Sequence, residues 1–156
     1  MADVWDACER VDWLIWVYRR TVTPMDMREL RLFACWCVRE TPLKDGRKVW
    51  DLLTDERSRN AVVVAERFAR GEATDEERSR AAAAAADAAY AASAAAYAAY
   101  AAYAAYAAYA AYAAADADAA AYASASSAAY AAYAYAYARK FQAEEFKRRF
   151  ANPFHK

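Results

Sequence analysis

The sequence predicts an all-α fold, an elongated helical bundle in which a long Ala/Tyr-rich helical hairpin packs against four shorter N-terminal helices. Three observations predict it. First, Tyr97, Tyr100, Tyr103, Tyr106, Tyr109 and Tyr112 recur at every third position with only alanine between them. Alanine has the highest helix propensity, and three residues advance an α-helix by ~300°, so the six rings spiral once round the cylinder. A helix that is apolar all the way round needs other helices, a second subunit or lipid about it. Polyproline II and 3₁₀ helices share the period of three, but the segment has no proline and long 3₁₀ runs are uncommon. Second, charge is segregated: only Asp87, Asp116 and Asp118 interrupt the stretch from 81 to 138. Third, proline, glycine and capping residues punctuate the first 77 residues at intervals of about one helix length.

Asp3 is placed to cap a first helix reaching about Arg20, with Trp5, Cys8, Trp13 and Trp16 clustered on one side. Thr23-Pro24 reads as the N-cap and first turn of a second helix, whose apolar stripe is Met27, Leu30, Phe33, Ala34, Cys37 and Val38. Thr41-Pro42 ends it, Lys44-Asp45-Gly46 is a turn, and a short helix follows through Val49, Trp50, Leu52 and Leu53. Thr54 or Asp55 caps a fourth helix, with Ala61, Val64, Ala65 and Phe68 facing inward and Gly71 as its stop. Thr74 and Glu77 then form a capping box that opens the long alanine helix. Unbroken to about Ala115, that helix would be ~60 Å long. A compact domain of this size has a radius of gyration near ~15 Å. The bundle is therefore elongated, or a dimer covers the overhang.

Asp116-Ala-Asp118 is the candidate turn of the hairpin, and Ser124-Ala-Ser126-Ser127 competes with it. Beyond it Tyr122, Tyr130, Tyr133, Tyr137 and Phe141 fall within about 100° of helix circumference, an apolar stripe for a last helix folding back antiparallel. The expected organisation is one helical domain over 1–151. The N-terminal helices occupy 1–72, the hairpin arms 74–115 and 118–151, and 152–156 is a tail.

The 21 basic and 21 acidic residues cancel, which removes the electrostatic argument for nucleic acid or an anionic membrane as main partner. Residues 88–115 are uncharged for longer than a bilayer span, yet no Leu, Ile, Phe or Val occurs from 81 to 139 to drive insertion. No membrane span is read there. The N-terminus shows no basic and then apolar leader, and three cysteines make an odd count without a disulfide framework, which together point to the cytoplasm. Cys35 and Cys37 point about 200° apart on a helix with no histidine near them, so they read as small core residues and not as metal ligands. His155, the one histidine, lies in the tail. No catalytic, cofactor-binding or metal residue is assigned, and no cofactor is expected.

The candidate partner-binding residues are Asp55, Glu56, Arg57 and Arg59, a dense charged run, and two of the five tryptophans, Trp5 and Trp13. Against the first stands the reading as solvated ion pairs at a helix start, with a recognition patch arising only if Arg19, Arg20, Arg39 and Arg47 converge on the run. Against the second stands core packing. Tyr97, Tyr100, Tyr103, Tyr106, Tyr109 and Tyr112 are the candidate core or self-association residues.

Trp5-Asp6-Ala7-Cys8, Asp12-Trp13-Leu14-Ile15-Trp16, Leu32-Phe33-Ala34-Cys35-x-Cys37, the run from Asp55 to Ala61 and Ala69-Arg70-Gly71-Glu72-Ala73-Thr74 lead into alanine-rich helices. Together they resemble a family of bacterial and phage immunity proteins, over residues 3 to about 140, the alanine tract by composition only. The resemblance implies an all-helical fold and a protein that binds and neutralises a toxin or, if phage-borne, a host defence complex such as a CRISPR effector. It carries over no catalytic residue, and histidines in the alanine region of many relatives are tyrosines here. The expectation is thus a non-enzymatic protein-binding inhibitor. The alternative is a self-assembling structural protein, such as a homodimer, with the tyrosine spiral buried between subunits.

Overall fold

Side-chain caps open three of the α-helices in the computed structural model, which describes residues 1–94, 121–123, 125, 127–128 and 135–154. Six α-helices are delimited among them: α1 (Ala2–Ala7), α2 (Val11–Thr21), α3 (Met27–Glu40), α4 (Glu56–Ala69), α5 (Asp75–Ala94) and α6 (Tyr135–Arg149), with a 3₁₀ turn at Val49–Leu52. The described residues are predominantly helical, and their one β feature is an isolated antiparallel bridge between Pro42 and Lys48. The expected turn at 116–118 and the tyrosines at 97–112 lie outside the described residues.

The first helix is not continuous. The chain leaves the helix at Cys8, whose N–H bonds the Trp5 carbonyl at 3.1 Å while its backbone turns extended, and α2 starts afresh at Val11. Val11, Leu14, Ile15 and Tyr18 form an i, i+3, i+4, i+7 stripe, and all four are buried. In an unbroken helix at ~100° per residue, Trp5 would point ~130° away from that stripe. The break lets Trp5 join it in the core, while Trp13 and Trp16, each ~150° from the stripe, face outward. Of the side expected from the sequence, Trp13 and Trp16 stay together but Trp5 leaves it, and it is the opposite side of α2 that packs inward.

The second correction concerns α3. Thr23-Pro24, a cis peptide, precedes the helix instead of opening it, and Asp26 is the N-cap, its carboxylate accepting the Glu29 N–H at 2.8 Å. Leu30, Phe33, Ala34, Cys37 and Val38 are fully buried as expected, with Met27 left at the exposed end. Thr41 caps the C-terminus. A small hairpin follows, closed by Leu43 N–H to Arg47 O at 2.7 Å and Val49 N–H to Thr41 O at 2.9 Å, with Gly46 at φ 86° in its turn.

Asp55 caps α4 through the Arg57 N–H at 2.8 Å. The helix closes with paired C-terminal bonds, Glu72 N–H to Arg67 O at 2.8 Å and Gly71 N–H to Phe68 O at 3.0 Å, which require the positive φ of 78° that Gly71 adopts. The Thr74/Glu77 box opens α5 reciprocally: Thr74 N–H donates to Glu77 Oε2 at 2.8 Å and Glu77 N–H to Thr74 Oγ1 at 3.1 Å. α5 packs on α4 and α4 on α3, through Ala61, Val62, Val64 and Ala65 of α4 and the small face Ala81, Ala85 and Ala88 of α5.

α6 packs on α2 and α3. Its inward seam is Ala138, Gln142 and Phe146, continued by Phe150, with Tyr137 of the expected stripe ~100° round the helix, while Tyr130 and Tyr133 lie outside the described residues. Tyr137 is accordingly exposed, as is Tyr122 ahead of the helix, while Phe141 is half-buried and stacks on Trp36 with centroids 5.1 Å apart. Phe146 is the hub. Its ring meets Phe150 at 4.4 Å, Phe33 at 5.1 Å, Tyr18 at 5.8 Å and Trp5 at 6.1 Å, so one residue ties α1, α2 and α3 to α6. A single apolar cluster runs through all six helices.

Candidate partner-binding surface

The outward face of α2 carries the largest exposed rings among the described residues. Trp13 is 59% exposed and Trp16 56%. Each is held by a cation: the Arg10 guanidinium lies 4.8 Å from the Trp13 ring centre and that of Arg20 lies 4.0 Å from Trp16. The two rings form a ridge between two grooves. One, of about 560 Å³, is lined by Arg10, Asp12, Trp13, Trp16, Val17 and Tyr122. The other, of about 340 Å³, lies between α1, α2 and Phe154, with Val4, Cys8 and Thr21 on its walls and Arg20 as its charged side chain.

Asp12 forms the floor of the first groove and is the structural anchor of the face. Its carboxylate takes Arg10 Nη2 at 2.7 Å and Arg139 Nη1 at 2.9 Å, and both the Asp12 and Arg139 side chains are nearly buried. Burial pushes the Asp12 carboxyl up, but the Arg10 hydrogen bond and the charges of Arg139 and Arg10 outweigh it, so the group titrates below its ordinary value. Lys140 to Glu9 at 2.6 Å adds a second, exposed tie between α6 and the α1–α2 link.

Of the tryptophans expected on a surface, Trp13 is there and Trp5 is not. Trp5 is 4% exposed and packs on Phe146, because the break after α1 turns it inward. Trp16 takes its place. The signal that could have found Trp16 was its position, three residues from Trp13 and opposite the Val11/Leu14/Ile15/Tyr18 stripe.

The charged run sits elsewhere. Asp55 is occupied in capping α4 and in pairing with Arg57 at 2.7 Å, which holds its carboxyl below the usual range, and Glu56 lies 3.9 Å from Arg59. Arg59 lies over the Trp50 ring at 5.5 Å, and Arg39 shares that ring at 4.2 Å while paired with Glu66. Arg47 pairs with Asp45 in the hairpin, and Arg20 lies over Trp16 on α2. None of Asp55, Glu56, Arg57 or Arg59 lines a groove beside Trp13. The run is thus built chiefly as a helix start with its own ion pairs.

Cys35 and Cys37 are fully buried, and burial pushes the Cys35 thiol up to about 12 and Cys37 well above its ordinary value. Neither is a thiolate at neutral pH. Among the described residues no three of His, Cys, Asp or Glu converge on a possible metal position, and no helix is long and apolar enough to cross a membrane. His155 and Tyr97, Tyr100, Tyr103, Tyr106, Tyr109 and Tyr112 lie outside the described residues. Comparison of the chain with protein-family models, with curated proteins and with solved structures gives no match.

Proposed function

We propose that this protein is a non-enzymatic, cytoplasmic inhibitor that works by binding another protein. The observation that carries the reading is the Trp13–Trp16 ridge, two adjacent rings more than half exposed, each backed by an arginine and flanked by a groove. Tryptophan and arginine are the residues most enriched where truncation costs an interface the most. Leaving two indoles in water forgoes burial free energy that folding could have gained, and a bound partner recovers it. The resemblance to immunity proteins supplies the class of partner: a toxin or, for a phage-borne chain, a host defence complex such as a CRISPR effector.

The test is affinity capture from the producing cell with the parent chain and a Trp13→Ala/Trp16→Ala variant, followed by assay of the captured protein's activity. A stoichiometric partner that the parent retains and silences, and that the double variant releases, is the expected result. No stoichiometric partner, or equal capture by both baits, counts against the reading. The alternative, self-assembly, is favoured by one observation: Tyr122 and Tyr137 present their rings to solvent. Light scattering separates the two, since a strict monomer at high concentration leaves self-assembly without support.

A further inference from the structure

We infer that the groove between α1, α2 and Phe154 is a binding site for a small amphiphilic anion, a free carboxylate on a straight apolar chain of about eight to ten carbons. The chain lies along α2 past Trp13, Trp16 and Val17, and the carboxylate meets the Arg20 guanidinium. The inference stands beside the protein-binding reading and does not rest on it.

Lining chemistry supplies the first argument. At about 340 Å³ the groove falls within the range of small-molecule sites, roughly 300–1,000 Å³. Buried Trp5 and Leu14 form its floor, and Val4, Trp13 and Trp16, each more than half exposed, rise as its walls. Two of its polar side chains are already engaged, the Thr21 hydroxyl with the Val17 carbonyl at 2.8 Å and the Cys8 thiol with the Arg10 carbonyl at 3.5 Å. Arg20 remains. Among the described lining residues it carries the one charge, and none carries a carboxylate. Its guanidinium lies on the Trp16 ring at 4.0 Å, a contact that gives its N–H donors no acceptor oxygen.

The placement of that charge supplies the second argument. From Trp13 to Thr21 the groove follows α2 for eight residues, or ~12 Å at 1.5 Å per residue. The lining residues of α2 up to Val17 are apolar, and the charge is confined to the last turn. A matching ligand is therefore apolar along its length and anionic at one end. An extended carbon chain advances ~1.25 Å per bond, so ~12 Å takes a chain of about ten atoms, head group included. The helix C-terminus, worth about half a negative charge, opposes the carboxylate, but the full charge of Arg20 exceeds it. A bilayer surface is a poorer match, since lipid-binding segments present clusters of roughly four to eight basic residues and this groove offers one.

Isothermal titration calorimetry of the full chain tests the site, with hexanoate, octanoate, decanoate and dodecanoate probing length, and decylammonium probing the head group. Each carbon added up to about ten should tighten binding by roughly 4-fold, the effect of burying one methylene, and the gain should then stop. Decanoate should bind about 5-fold or more tightly than decylammonium, a difference that Arg20→Ala removes and that added salt reduces. Val4→Asn should weaken both by about 3-fold or more, because it changes the wall and not the head-group contact. Both side chains are exposed, and melts that match the parent will show that the fold is kept. No binding by any of the acids, decylammonium binding as tightly as decanoate, an Arg20→Ala variant that keeps the parent's preference, or a gain that continues undiminished to dodecanoate overturns the inference. So does co-sedimentation with phosphatidylglycerol vesicles that decanoate does not displace. If decanoate fails while the Trp13→Ala/Trp16→Ala variant still releases the captured partner, the protein-binding reading stands and only this site is wrong.

Discussion

Asp12 holds two guanidinium groups at once, and its environment makes it the residue whose loss should be felt most beyond its size. Asp12→Ala takes the Asp12 carboxylate away from Arg139, 11% exposed at its side chain, and removing one partner of a buried pair costs ~3–5 kcal/mol. Urea denaturation should show that loss. Replacing both partners by apolar residues should cost less than the sum of the single changes, because no uncompensated charge then remains. The same carboxyl makes a pH prediction. Asp12 and Glu145 both titrate below their ordinary values of 3.8 and 4.5; in Glu145 burial raises the pKa, and the hydrogen bonds from Arg148 and Arg149 outweigh it. A depressed carboxyl contributes stability that is complete above its unfolded pKa and is lost as pH falls through its folded pKa. Stability should therefore decline below about pH 4, and Asp12→Asn should flatten that decline. Nothing in the sequence marks Asp12 for this role: its partner lies 127 residues away, and a carboxylate beside a tryptophan reads as surface.

Helix ends behave differently, because their chemistry is complete within one turn of chain. The Thr74/Glu77 box, the Thr41-Pro42 stop and the Gly71 stop were all legible for that reason, and the α4 cap was narrowed to Thr54 or Asp55, of which Asp55 serves. What the sequence left open was which of two apolar sides of a helix packs inward. On α2 the tryptophans outweigh Val11, Leu14 and Ile15 in bulk, yet the stripe of smaller residues is the one inside, and on α6 Tyr137 faces out while Ala138, Gln142, Ala143 and Phe146 face in. Small residues let neighbouring helices approach closely, and Gln142 of that seam donates to the buried Thr41 hydroxyl at 2.9 Å, a partner no local pattern reveals. Two substitutions probe the ends. A Cβ on Gly71 would meet nothing within 4 Å, so Gly71→Ala pays only for its φ of 78°, about 1–2 kcal/mol. Thr74→Ala removes one capping bond and should cost ~1 kcal/mol. For a chain of this length each kcal/mol is a drop of ~2–4 °C in Tm, readable by circular dichroism.

On the scale of the whole molecule, α6 is what closes the fold. Phe146→Ala removes the ring on which Trp5, Tyr18 and Phe33 converge and should cost ~3–5 kcal/mol, comparable with much of the net stability of a domain. Its near-UV circular dichroism should weaken while the far-UV helical signal largely persists, since α4 and α5 hold each other. Equal loss of both signals would show that the helices do not outlast the core. α6 and the turn beyond it also bring the two ends of the described chain together: Lys147 Nζ donates to Asp6 O at 2.8 Å, and Asn152 Nδ2 to Asp6 Oδ1 at 3.0 Å and Ala2 O at 3.2 Å. Met1 and Phe154 both border the smaller groove. A purification handle or fluorescent fusion attached at either of these ends would consequently hang over the tryptophan ridge and mask it. The exposed Lys44-Asp45-Gly46 hairpin, whose residues line neither groove, is the place to tether the molecule to a bead or a sensor chip.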